Sequence, residues 1–213
     1  MPVRVACLVE GHGETTAVPI LLRRVLADIE PGFAVEIPHP IRMPRSKLVK
    51  AGELERAVEL AARQVAPDGA ILILLDADDD CPAQLGAALK ERAVRARGDI
   101  PISVVLAKRE FEAWYIAAAG SLGLLADPAG AQPADPEAIA GAKEWIQKRM
   151  PRRKYSETVD QPALAAILNL EEARRCPSFD KLYRDMTEWM KMWRLRGAHA
   201  EDGGTPGLDE IGR

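Results

Sequence analysis

Acidic side chains close three apolar runs in this chain. Glu10 opens Glu10-Gly11-His12-Gly13-Glu14 after Val5 to Val9, and Asp76-Ala77-Asp78 follows Ile71 to Leu75. Lys108, Glu110 and Glu112 follow Ile102 to Leu106. Carboxylates gathered on one edge repel one another, and a divalent cation is the simplest compensation. Oxygen donors with little His or Cys favour Mg²⁺ or Mn²⁺ over zinc, and such an ion serves phosphate chemistry. Each residue also has a plainer reading. Glu10 could fill a turn, Glu14 could favour a helix N-terminus, and Lys108 could be a solvated charge instead of a phosphate contact. Asp79 or Asp80 suits a helix N-cap before Pro82. Glu110 and Glu112, two apart, do not share a helix face, so at most one of them points at a metal.

These groups meet only if the runs are parallel strands of one sheet. Residues 4–9 form a buried strand that ends in a glycine turn. Val18, Leu21, Leu22, Val25 and Ile29 then mark a helix face. Phe33, Val35 and Ile37 alternate as a second strand, which Pro38 and Pro40 stop. A second helical face runs from Ala51 to Val65. A third strand over 70–75 is apolar without alternation, as in sheets covered on both faces. A helix over 82–97, a fourth strand over 102–106 and a helix through Phe111 and Trp114 complete the pattern. The fold class is therefore α/β: a four-stranded, mostly parallel sheet flanked by helices over 1–120. Its strands end along one edge, where ligands bind. A loop is expected over 121–136, a C-terminal helical extension over 137–196 and a flexible tail over 197–213.

Composition excludes several classes. The 213 residues are 47% hydrophobic and 29% charged, ordinary for a globular chain. The formal net charge of -3 leaves no generally basic coat, so nucleic-acid binding needs a local patch or a bound metal. The densest basic stretch is Arg149, Arg152, Arg153 and Lys154, beside Tyr155. It is either a solvated run or a phosphate grip with a ring for stacking. Trp145, Trp189 and Trp193 suit helix packing. Three scattered cysteines make neither a zinc site nor a disulfide framework. No apolar stretch reaches membrane length and no signal peptide is evident, so a cytoplasmic location is expected.

Glu10 after the first strand and Asp76-Ala77-Asp78 after the third resemble the Toprim domain of topoisomerases, primases and overcoming-lysogenization-defect nucleases. The Glu10-Gly11-His12-Gly13-Glu14 form is most similar to the nuclease branch. More closely, the chain resembles an uncharacterised bacterial Toprim-like family. The marks include Leu74-Leu75-Asp76-Ala77-Asp78, Cys81-Pro82, Lys108 to Trp114, Lys154 to Pro162 and Cys176 to Leu182. The resemblance implies a Mg²⁺ site at Glu10, Asp76 and Asp78, with Glu14 and Glu112 as outer or second-metal candidates. It also implies an ATPase partner in defence-type loci.

The expectation is a Mg²⁺- or Mn²⁺-dependent phosphodiesterase acting on nucleic acid, DNA favoured over RNA. Glu10, Asp76, Asp78 and Glu112 are its metal ligands, and Arg149, Arg152, Arg153 and Lys154 its nucleic-acid contacts. Glu10 or Glu14 is the proton acceptor, and Lys108 steadies the phosphate. A homodimer is allowed. Two alternatives stand beside it. One is a non-catalytic regulatory subunit that binds metal or phosphate. The other is a receiver-like phosphotransfer protein using Asp76 and Lys108.

Overall fold

A computed structural model describes residues 2–65, 67–125, 132–150 and 154–202, with side chains through Arg196. In chain order the strands and helices begin with β1 (Val3–Val9), α1 (Glu14–Ile29), β2 (Val35–Glu36), β3 (Ile41–Arg42) and α2 (Arg45–Leu48). Next come α3 (Glu53–Val65), β4 (Ala70–Asp76), α4 (Pro82–Ala96), β5 (Ile102–Ala107) and α5 (Ala113–Ala117). A 3₁₀ turn at Pro136–Ala138 precedes α6 (Ala142–Arg149), α7 (Glu157–Ile167), α8 (Leu170–Ala173) and α9 (Pro177–Asp202).

The sheet is parallel throughout, in the order β2-β1-β4-β5, and β3 also pairs with β1. Among the described residues it has five strands where four were expected. β2 and β3 are two parts of one interrupted edge strand: Val3 pairs with Val35, and Leu8 with Ile41. Pro38 and Pro40 fall in the gap, where each lacks the N–H that a ladder needs. One extra residue accumulates across the gap, which is bulge geometry.

β1, β4 and β5 are apolar on both sides because both faces are covered. Cys7, Leu72 and Val105 face a core shared with α1, α5, α7 and α9. Leu8, Ile73 and Val104 face a second core under α3 and α4. From β1 the chain crosses by α1 to β2 on one side. From β3 it crosses by α3 to β4 on the other. The direction of winding therefore reverses between β1 and β4, and the strand ends part there to leave a crevice.

The C-terminal helices belong to the first core. Trp114 meets Phe179 of α9 edge-to-face, ring centres 5.2 Å apart, and Trp189 and Trp193 pack in the same cluster. Helix α9 runs on through Asp202, across the first residues of the stretch expected as a tail over 197–213, the rest of which lies outside the described residues. Among the described residues no helix is long and apolar enough to cross a membrane.

Candidate active site

Glu10 follows β1 and Asp76 ends β4, so both stand beside the crevice. Glu14 opens α1 but does not face solvent: it folds back, and its Oε2 accepts the Glu10 N–H at 3.1 Å. Gly11 leaves room for this, since a Cβ there would lie 2.8 Å from Glu14 Oε1. Asp76 Oδ1 accepts the Phe111 N–H at 2.7 Å and so ties the loop after β5 to the end of β4. That tie brings in Glu112, which is fully buried. Its Oε1 accepts the Tyr155 hydroxyl at 3.0 Å and the Gln161 side-chain amide at 2.9 Å. Glu10 Oε2 and Glu112 Oε2 are buried with no hydrogen-bond partner among the described residues.

Burial pushes all four carboxyls upward. Glu14 is raised to about 7 by desolvation, with the charges of Glu112 and Glu10 adding to it. Asp76 lies well above the usual carboxylate range through burial and then the charges of Glu14 and Glu112. Glu10 rises by burial and the nearby charge of Asp78. Glu112 rises by burial, against which Lys143 works. Lys143, in the first turn of α6, is half-buried and pairs with Glu157 at 2.9 Å. Burial disfavours its charge, but Glu112, Glu157 and Asp76 more than offset this and raise its pKa.

The other expected site residues divide. Asp78 sits at φ 51 and its N–H donates to the carbonyl of Arg109, itself at φ 65; the two left-handed residues lock the loops together at 3.1 Å. The Asp78 carboxylate is mostly exposed and pairs with Arg45 at 3.3 Å, and Arg45 also binds Asp80. Lys108 does not join the carboxylates: its ammonium stands 3.8 Å from Asp135, and it is not among the leading charges acting on any of the four. Among the described residues no ion pair joins Lys108 to Asp76, the pair a receiver-like site would use. Glu110 turns away to accept the Ala142 N–H at the start of α6. Cys81, not Asp79 or Asp80, holds the N-cap position of α4. The Arg149 guanidinium carbon lies over the Trp145 ring, 3.4 Å from its centre, and Lys154 is exposed. Arg152 and Arg153 lie outside the described residues. The Tyr155 hydroxyl is engaged by Glu112.

Sequence reasoning missed Lys143, Arg45 and Gln161. Lys143 left one signal: a cation in the first turn of a helix opposes the dipole and needs an acid to hold it. Gly13 left another. A Cβ there would lie 2.1 Å from Gln161 Oε1 and 2.3 Å from the Glu157 carbonyl, so α7 presses on this glycine.

Among the described residues no three His, Cys, Asp or Glu side chains stand ready to hold a metal ion. The donor set nonetheless fits a hard divalent cation in kind. It is all oxygen, two of its buried oxygens are orphaned, and its charges raise one another's pKa.

A family model described as "Domain of unknown function (DUF4276)" matches residues 9–187, which include every member of this cluster. The chain belongs to the DUF4276 family. No curated protein and no solved structure matches it. The DUF4276 match also takes in Tyr155 and Gln161, the groups that anchor Glu112.

Proposed function

We propose that this DUF4276 chain is a divalent-metal-dependent phosphodiesterase acting on nucleic acid, DNA in preference to RNA. The observation that carries the reading is the convergence of Glu10, Glu14, Asp76 and Glu112 at the switch point, two of them with an orphaned buried oxygen. A purely structural cluster would be expected to satisfy those oxygens. The resemblance to Toprim-like proteins supports the same reading, and with it an ATPase partner.

Glu10 and Asp76 would hold the ion, joined by Asp78 and by Glu112 from the opposite loop. When bound, Mg²⁺ or Mn²⁺ would neutralise phosphoryl oxygens and acidify a water. Glu14 orients Glu10 through its amide, and its pKa near neutrality suits it to take a proton. Lys143, whose charge Glu112 and Asp76 favour, would steady developing charge in place of Lys108. Arg42, Arg45 and Arg109 stand at the rim, where a phosphodiester backbone would approach.

The test is nicking of supercoiled plasmid in Mg²⁺ or Mn²⁺. Asp76→Asn keeps an acceptor for the Phe111 N–H while removing a charge, and should lower the rate at least about 100-fold. Equal nicking by wild type and variant, or nicking that persists in EDTA, overturns the reading.

One observation favours a second reading, a non-catalytic subunit that binds metal or phosphate: Arg45 already neutralises Asp78. Calorimetric binding of Mg²⁺ with no cleavage of DNA or RNA would support it.

A further inference from the structure

Arg45 stands among three acids at the mouth of the crevice. Its guanidinium pairs with Asp78 at 3.3 Å and also binds Asp80. Its charge favours ionised Glu10, which the charge of Asp78 opposes. The backbone fixes it there. Arg42 pairs with Val9 in the ladder of β1 and β3, and the Met43 N–H donates to the Val9 carbonyl at 2.8 Å. Two residues on, Arg45 opens α2, whose Leu48 is fully buried. Moving this backbone away from the end of β1 would break the ladder and expose Leu48, so any rearrangement belongs to the arginine side chain.

That side chain is held by weak partners. The side chains of Asp78 and Asp80 are 59% and 56% exposed, and ion pairs of this kind contribute little. The Arg45 Nε is buried and has no hydrogen-bond partner among the described residues. A phosphodiester offers two oxygens to such a fork and competes with the aspartates for it. Deeper in the crevice the imbalance is reversed. Glu112 is fully buried with its Oε2 orphaned, and Glu10 Oε2 is orphaned too. Of the expected metal ligands Glu10, Asp76, Asp78 and Glu112, only Asp78 has an ion pair among the described residues.

We infer that Arg45 withholds Asp78 from the metal until a phosphodiester takes the guanidinium, so that divalent cation and nucleic acid bind cooperatively. This rests on the metal-dependent reading above and adds regulation to it. With the guanidinium drawn to phosphate, Asp78 is free to join Glu10 and Asp76 as a ligand. By linkage each ligand raises the affinity of the other by the same factor. The ion is thus held weakly in the absence of substrate.

The first measurement is calorimetric titration of the intact chain with Mn²⁺ alone. Arg45→Met keeps an apolar stem and leaves no buried donor, and it should bind Mn²⁺ at least about tenfold more tightly than wild type. Arg45→Gln should shift affinity in the same direction and serves if the Met variant does not fold. Asn tolerates the left-handed backbone of Asp78, φ 51, so Asp78→Asn supplies the second arm of a cycle. In that background Arg45→Met should improve Mn²⁺ binding by less than about threefold. The second measurement is fluorescence polarisation of a phosphorothioate oligothymidylate, which resists cleavage, in Mn²⁺ and in EDTA. Wild type should bind it at least about tenfold more tightly in Mn²⁺, and in Arg45→Met that ratio should fall at least about fivefold. Equal gains in Mn²⁺ affinity with and without Asp78, or equal ratios in wild type and Arg45→Met, overturn this inference and leave the metal-dependent reading standing. No Mn²⁺ binding by wild type or by either Arg45 variant at millimolar concentration overturns both.

Discussion

Glu14→Gln tests whether the carboxylate cluster is held together against its own charge. The wild-type carboxyl rises from an unfolded value of 4.5 to about 7 because it is buried, with Glu112 and Glu10 beside it. The folded chain thus holds this proton more tightly than the unfolded one. The stabilising contribution is complete below pH 4.5 and is lost as pH rises through about 7. A shift of that size corresponds to about 3 kcal/mol. The residue is 4% exposed, so solvent screening takes little from it. Gln keeps an oxygen for the Glu10 N–H and carries no charge, so its stability should not fall over this range on account of position 14. Urea unfolding in EDTA at pH 5 and at pH 8 provides the measurement. Wild type minus variant should change by about 2.5 kcal/mol between the two, because part of the full effect is already lost at pH 5, a relative midpoint displacement of about 1–2 M. Comparing differences removes any fixed effect of the substitution. Parallel stability profiles, within about 1 kcal/mol of one another from pH 5 to 8, would refute the electrostatic account of the cluster.

Gly13→Ala should lower stability by about 3 kcal/mol or more, because its Cβ meets the Glu157 carbonyl at 2.3 Å and α7 must move. A calorimetric melt should show a fall of about 5–10 °C. Tyr155→Phe removes a hydrogen bond to a fully buried carboxylate and should cost about 2 kcal/mol in chemical denaturation, with the effect concentrated at high pH. Lys143→Met removes the amine facing Asp76 and Glu112. Its stability should fall more steeply than wild type above pH 6, and added Mg²⁺ should recover more of that loss than it does in wild type.

The strands carrying Glu10 and Asp76 were legible because a sheet covered on both faces demands unbroken apolar runs. The acids closing those runs could then be assigned to one edge from topology alone. The edge strand was half legible. Pro38 and Pro40 signalled a stop, but pairing resumes at Ile41 once the prolines are past, and nothing local announces that. Lys143, Arg45 and Gln161 were not legible because their positions depend on how distant elements dock. Gln161 meets Glu112 across 49 residues, and Arg45 reaches Asp80 across 35. Lys108 misled for the converse reason. It sits at the right strand end, but residues 108–110 turn, and its side chain leaves toward Asp135 instead of the crevice.

The contact between Gly13 and Gln161 bears on any attempt to shorten the protein. A fragment ending after α5 would still encode every strand and every acid of the crevice. It would lack the tyrosine and glutamine that steady Glu112, and the lysine that offsets its charge. Four crowded negative groups would then face water with their counterweights gone. Strands and acids come from the first half of the polypeptide, and the second half makes their proximity tolerable; the crevice belongs to neither half alone.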